Sequence, residues 1–139
     1  PRRPPLAERP SPHPSVPTLD LVVAAARAAD GKLGERTLVL DVSDVLSITG
    51  WFVITSGRNT RQVKTIAEEV EERVAEAGGA RPLRIEGLDG LRWVLMDYGD
   101  FVVHVFLDEE RDYYELERLW SDVPRVPWED DTGATAAAR

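Results

Sequence analysis

The 139 residues have room for one domain with a core of its own. The chain has no cysteine, which excludes disulfides, thiolate metal sites and cysteine nucleophiles, and no apolar run long enough to cross a bilayer. Its net charge of −8 is uneven: residues 1–85 carry 12 Lys/Arg against 11 Asp/Glu, a net of +1, whereas residues 86–126 carry 4 Arg against 11 Asp/Glu, a net of −7. Such a field repels phosphate backbones and attracts basic partners, so direct contact with DNA is not expected.

Residues 1–17 hold seven of the ten prolines. Proline fixes φ and removes a donor, so this leader is expected to be extended or disordered. It has arginines but no apolar stretch, so it does not read as a secretory signal, and a cytoplasmic protein is expected. Thr18 is placed to cap a first helix with Leu19, Val22, Val23 and Ala26 on one face, ended by Asp30-Gly31. Strands are expected over 37–42 and 51–56, the second β-branched, aromatic and broken by Gly57.

Asn59 with Gln62 three residues on is a capping-box variant. Val63, Ile66, Ala67, Val70 and Val74 then form one helical stripe, opposite Glu68, Glu69, Glu71, Glu72, Arg73 and Glu76. Gly78-Gly79 ends that helix, and a short strand over 83–86 is closed by Gly87. Residues 93–98 and 101–106 read as a hairpin turned at Gly99-Asp100. Asp108 is placed to cap a final helix carrying Tyr113, Leu116, Leu119 and Trp120, barred from extension by Pro124 and Pro127. Residues 127–139 read as a loose, acidic and alanine-rich tail, which leaves 18–126 as the single folded domain.

The element order is helix, two strands, helix, three strands, helix. The central strand–helix–strand crossover should be parallel and right-handed, and the terminal hairpin antiparallel. The fold class is therefore α/β: a mixed five-stranded sheet with flanking helices.

Catalytic chemistry finds little support. His13 and His104 cannot assemble a metal set without further ligands, so no metal is expected. His104 sits mid-strand, where a structural, hydrogen-bonded role outweighs a catalytic one, with Asp97 or Asp100 as its nearest acidic partners. The 56–61 segment between a strand and a helix could hold an anion on free N–H groups with Arg58 and Arg61, but it lacks the P-loop lysine and the GxGxxG spacing. Plain capping is the better reading. The strand–Gly–helix arrangement is similar to the nucleotidyltransferase fold, yet paired metal-binding carboxylates are missing: Asp41 is followed by Val42-Ser43, and Asp97 reaches Asp100 only across a turn. No enzyme activity and no cofactor are expected.

Strand alternation places Trp93, Leu95 and Asp97 on one face of the hairpin, with Val94, Met96 and Tyr98 on the other. The second strand divides into Phe101, Val103 and Val105 against Val102, His104 and Phe106. Both faces are apolar, so one meets the helices and the other needs a cover. A partly covered aromatic face beside acidic residues has the anatomy of a protein-binding surface.

An ordered set of segments carries a family resemblance over residues 19–126. It runs through Leu40-Asp41-Val42, Ser47-Ile48-Thr49, Phe52-Val53-Ile54, Ser56-Gly57, Arg61-Gln62-Val63, Glu86-Gly87 and Trp93-Val94-Leu95. It continues with Asp97-Tyr98-Gly99-Asp100, Val103-His104-Val105-Phe106 and Leu116-Glu117-Arg118-Leu119-Trp120. In this order the chain resembles the Iojap-like ribosomal silencing factors.

That resemblance implies a fold akin to nucleotidyltransferases without their active site. It implies a translational repressor that binds the large ribosomal subunit through its protein numbered fourteen, blocks subunit association when nutrients are short, and often forms a homodimer. Organellar relatives act in ribosome assembly. By position, the resemblance assigns partner binding to Trp93, Asp97, Tyr98, Gly99, Asp100, His104 and Phe106, with Trp93 and Tyr98 as apolar anchors and both aspartates meeting basic side chains. Gly50-Trp51 departs from the family pattern, and the proline-rich leader is extra. A nucleotidyltransferase-like enzyme and a ribosome-assembly scaffold are the alternatives.

Overall fold

Two hydrophobic periods, one helical and one strand-like, sort this chain into two layers and part of a third. The computed structural model describes residues 16–129, so most of the expected leader and the end of the expected tail lie outside the described residues. The elements are α1 (Thr18–Gly31), β1 (Glu35–Asp41), β2 (Trp51–Gly57), α2 (Thr60–Glu76), β3 (Arg84–Glu86), β4 (Trp93–Asp97), β5 (Phe101–Leu107), α3 (Asp108–Tyr114) and α4 (Leu116–Leu119). The sheet order is β1-β2-β5-β4-β3. β2 and β5 are parallel and every other neighbouring pair is antiparallel, giving the mixed five-stranded sheet that the element order implies.

α1 and α2 cover one face of that sheet. Val22, Ala25, Ala26 and Ala29 of α1 and Val63, Ile66, Val70 and Val74 of α2 are fully buried. They pack on Val39, Val53, Val94, Met96, Val103 and Val105. Each of the valine, isoleucine and methionine side chains contributes roughly 1.5–3 kcal/mol on burial, and each alanine less, set against the entropy of ordering it. The alanines of α1 let its backbone lie close to its neighbours.

Capping holds the start of α2. Asn59 Oδ1 accepts from the Gln62 amide at 2.8 Å. The Gln62 side chain accepts from the Arg58 amide at 2.7 Å, one residue earlier than a reciprocal box requires, and donates to the carbonyls of Lys32 and Leu33 at 3.1 and 3.0 Å. One side chain thus ties the start of α2 to the end of α1. α1 itself starts differently from expectation: Pro17 takes the capping position without a side-chain bond, and Thr18 is the first helical residue.

The final helix is not continuous. Glu115 has φ 49, a left-handed conformation, and separates α3 from α4. Residues six apart lie on different sides of an unbroken helix, yet Arg111 Nε donates to Glu117 Oε2 at 2.7 Å across the break. The same buried guanidinium donates to the Glu35 carbonyl at 2.9 Å, the Arg36 carbonyl at 2.6 Å and Ser56 Oγ at 3.2 Å. Asp108 is the first residue of α3, with Leu107 at the cap position and no side-chain bond.

The chain after α4 returns along the outer edge of β1. Asp41 donates its amide to the Pro124 carbonyl and Val126 to the Val39 carbonyl, at 2.9 and 2.8 Å, around a bridge between Leu40 and Arg125. Trp128 Nε1 then donates to the Thr37 carbonyl at 3.1 Å. The tail expected from residue 127 is therefore docked at least as far as Trp128.

Gly87 makes the connection to β4 possible. Its φ is +91, and a Cβ there would lie 2.0 Å from the Trp93 carbonyl oxygen. Gly87→Ala is expected to destabilise the fold by about 2 kcal/mol or more, read as a lower urea midpoint. An unchanged midpoint would contradict this account of the turn.

Candidate functional site

The second face of the sheet is only half covered. Leu40, Val42, Phe52, Ile54 and Phe106 form a small core under Leu116, Trp120 and Val123. Beyond that cover, Phe52, Leu95, Val102 and His104 floor a cavity of about 400 Å³. Leu46, Ile48 and Thr49 from the β1–β2 connection form one wall, and Leu83 and Arg84 the other. Ile48 is 83% exposed and Leu83 75% exposed, although both are large and apolar.

Asp97 and Gly99 shape the turn end of this cavity. Asp97 Oδ1 accepts from the Gly99 amide at 2.8 Å, and Arg84 Nε stands 3.5 Å from Asp97 Oδ2. Gly99 has φ +86 at the first loop position, the place a II′ hairpin gives to glycine. Asp100 is exposed at the tip, and its carbonyl accepts from the Gly50 amide at 2.8 Å, which binds the hairpin to the β1–β2 connection.

Trp93 lies at the opposite end, half-buried. It stacks on Phe106 with ring centroids 4.7 Å apart and meets Tyr114 at 5.0 Å. Its Nε1 donates to His104 Nδ1 at 3.2 Å. The partner of His104 is therefore an indole, not Asp97 or Asp100: Asp97 is engaged in its own turn and Leu95 is the residue opposite His104 in the register. Burial pushes the His104 pKa down to about 4, so the ring is neutral near pH 7.

Two of the seven anticipated residues lie elsewhere. Tyr98 points to the helix-covered face, where it stacks on Phe101 with centroids 4.6 Å apart and planes 8° from parallel. Desolvation raises the pKa of its hydroxyl. Phe106 is fully buried and supports Trp93 from below. Asp97, Gly99 and His104 line the cavity, Trp93 adjoins it through its bond to His104, and Asp100 stands exposed at the hairpin tip.

The acidic character of the C-terminal part is partly consumed by internal pairs. Glu110 pairs with Arg92, Glu117 with Arg111 and Asp112 with Arg36. Asp89, Asp100, Glu109 and Asp122 make no ion pair among the described residues. At the 56–61 segment, Arg58 pairs with Glu35 at 3.3 Å while Asn59 performs the capping.

Residues 15–139 match the family described as "Ribosomal silencing factor during starvation". The chain belongs to that family. A Bacillus subtilis relative named Ribosomal silencing factor RsfS is 44% identical over 100 residues, which span 72% of this chain and 84% of that protein. A solved Chromobacterium violaceum structure superposes with a TM-score of 0.72 at 35% identity, covering 76% of this chain and 88% of that one. A Mus musculus relative named Mitochondrial assembly of ribosomal large subunit protein 1 is 30% identical over 105 residues, 74% of this chain but 45% of that protein.

Within this silencing-factor fold, sequence reading missed the residues that make the cavity: Leu46, Ile48, Leu83, Leu95 and Val102. Alternation does place Leu95 with Trp93 and Val102 with His104. Ile48 and Leu83 lie outside regular strands and carry no periodic signal.

The lowered His104 pKa fixes a pH dependence. The unfolded ring takes up its proton near pH 6.5 and the folded ring only near 4, so between those values the unfolded state binds more protons. Stability is therefore full above about pH 6.5 and falls as pH drops toward 4. His104→Phe should flatten that part of a urea-midpoint profile, whereas parallel profiles would refute the assignment.

Proposed function

We propose that this member of the silencing-factor family is a cytoplasmic translational repressor that docks on the large ribosomal subunit through its protein numbered fourteen and keeps the small subunit from joining. The open second face of the sheet carries this reading. It exposes large apolar side chains around a shaped cavity, with Trp93 adjoining it through His104 and the unpaired Asp100 at the nearby hairpin tip. An apolar patch left open beside polar residues marks a protein contact. Ribosomal proteins are basic and surrounded by RNA, so the acids attract the protein partner and are repelled by the phosphates around it. The action is steric: no bond is made or broken, and no cofactor is needed.

The name of the mouse relative supports a second reading, in which the same face serves assembly of the large subunit. Sucrose-gradient sedimentation with separated subunits tests both. The protein should travel with the large subunit, and joining should fall as protein is added. Binding without any effect on joining would favour assembly. Protein left at the top of the gradient would overturn the docking itself. Sizing the same preparation tells whether the homodimer exists in solution.

A further inference from the structure

Thr49 Oγ1, His104 Nε2 and Trp120 Nε1 are buried without a hydrogen-bond partner among the described residues. They gather about Phe52. Its ring meets His104 edge-on at 4.7 Å and Trp120 at 5.5 Å, and Thr49 and His104 line the same cavity with it. Roughly nine-tenths of buried polar groups in folded proteins are paired, so two orphans lining one open cavity, Thr49 Oγ1 and His104 Nε2, call for an external partner.

The state of His104 follows from its neighbour. Nδ1 accepts from the Trp93 indole and so carries no proton. In the neutral ring the proton is then on Nε2, which makes this atom a donor with no acceptor. A cationic side chain cannot satisfy a donor. A carboxylate would lose its water among Leu46, Phe52, Leu95 and Val102 at this end of the cavity. A neutral peptide carbonyl meets neither objection.

We propose that His104 reads the partner through Nε2–H: an extended segment of the basic large-subunit protein sets an apolar side chain into the cavity and gives a backbone carbonyl to this donor. The proposal rests on the docking reading above and names the chemistry of its contact. Thr49 Oγ1 accepts a neighbouring amide of the same segment. Access requires the rim to yield, and Ser47, Ile48 and Thr49 make no backbone hydrogen bond among the described residues. That stretch moves outward without breaking a strand ladder. Basic side chains flanking the inserted residue meet Asp100, exposed at the hairpin tip.

The test titrates the full chain, His104→Phe and His104→Gln against purified large subunits. Glutamine keeps an amide N–H near the place of Nε2, and phenylalanine keeps the ring alone. The phenylalanine variant should bind about tenfold more weakly and the glutamine variant close to wild type. Equal binding by all three overturns the donor role and leaves docking intact. Equal weakening of both variants also overturns it, since packing then explains the loss. Failure of the wild-type chain to bind overturns docking and this contact together. Nitrogen-edited NMR of wild-type histidine provides a readout independent of variant folding: the His104 Nε2–H proton should move downfield on addition of the isolated large-subunit protein, and an unmoved signal in the bound state refutes the contact.

Discussion

Arg111→Ala is expected to cost about 3–5 kcal/mol of folding stability, the largest loss foreseen for any single side chain described here. The Arg111 side chain is 0% exposed and serves four acceptors on three parts of the chain. Truncation would leave the Glu35 and Arg36 carbonyls and Ser56 Oγ without this donor, and a cavity where the stem lay. It would also release Glu117, and with it the left-handed turn at Glu115 that aims α4 at the sheet. Arg111→Lys should recover little, because one compact ammonium cannot reach acceptors spread around a planar fork. Urea unfolding of both variants checks this, and a loss under about 1 kcal/mol for alanine would refute the clasp.

Trp93→Ala is expected to remove co-sedimentation with the large subunit, weakening binding by about 30-fold or more, while the far-ultraviolet circular dichroism stays native. Trp93 joins the two parts of the second face: it rests on Phe106, touches Tyr114 and sets the His104 tautomer. Its loss removes an anchor and frees the imidazole at once. Some stability should be lost too, since the stack on Phe106 goes. Ile48→Asp separates the effects: at 83% exposure that side chain supports little of the monomer, so weaker binding there at an unchanged urea midpoint belongs to the contact alone. Retained binding by Trp93→Ala would exclude this face as the docking site.

The sheet and its helix-covered face were legible because they depend on local rules. The stripe from Val63 to Val74, the alternation in β4 and β5 and the glycines at 87 and 99 each declare a backbone state. The broken last helix was not legible, because no local signal marks Glu115 as left-handed. The break follows from Arg111 reaching carbonyls about 75 residues earlier in the chain. The candidate site was legible in part. Period two groups Trp93 with Asp97 and separates Tyr98 from them, and the strand register then sets His104 on their face. It could not tell that Phe106 would be sealed, because burial on the second face depends on where Leu116 and Trp120 fall. Nor could it bring Ile48 and Leu83 to opposite walls of one cavity, which only the strand order does.

The strap formed by Pro124, Arg125 and Val126 bears on how this molecule behaves in a crowd. A bare outer strand is a template on which further copies can add, and β1 is long and rich in leucine and valine. By occupying that border the returning chain withholds it from strangers. The opposite border is β3, three residues long and bearing Arg84 and Glu86, too short and too charged to seed a growing fibre. A few residues after the last helix thus guard solubility, and a chain cut short before Pro124 would trade a dispersed solution for aggregates.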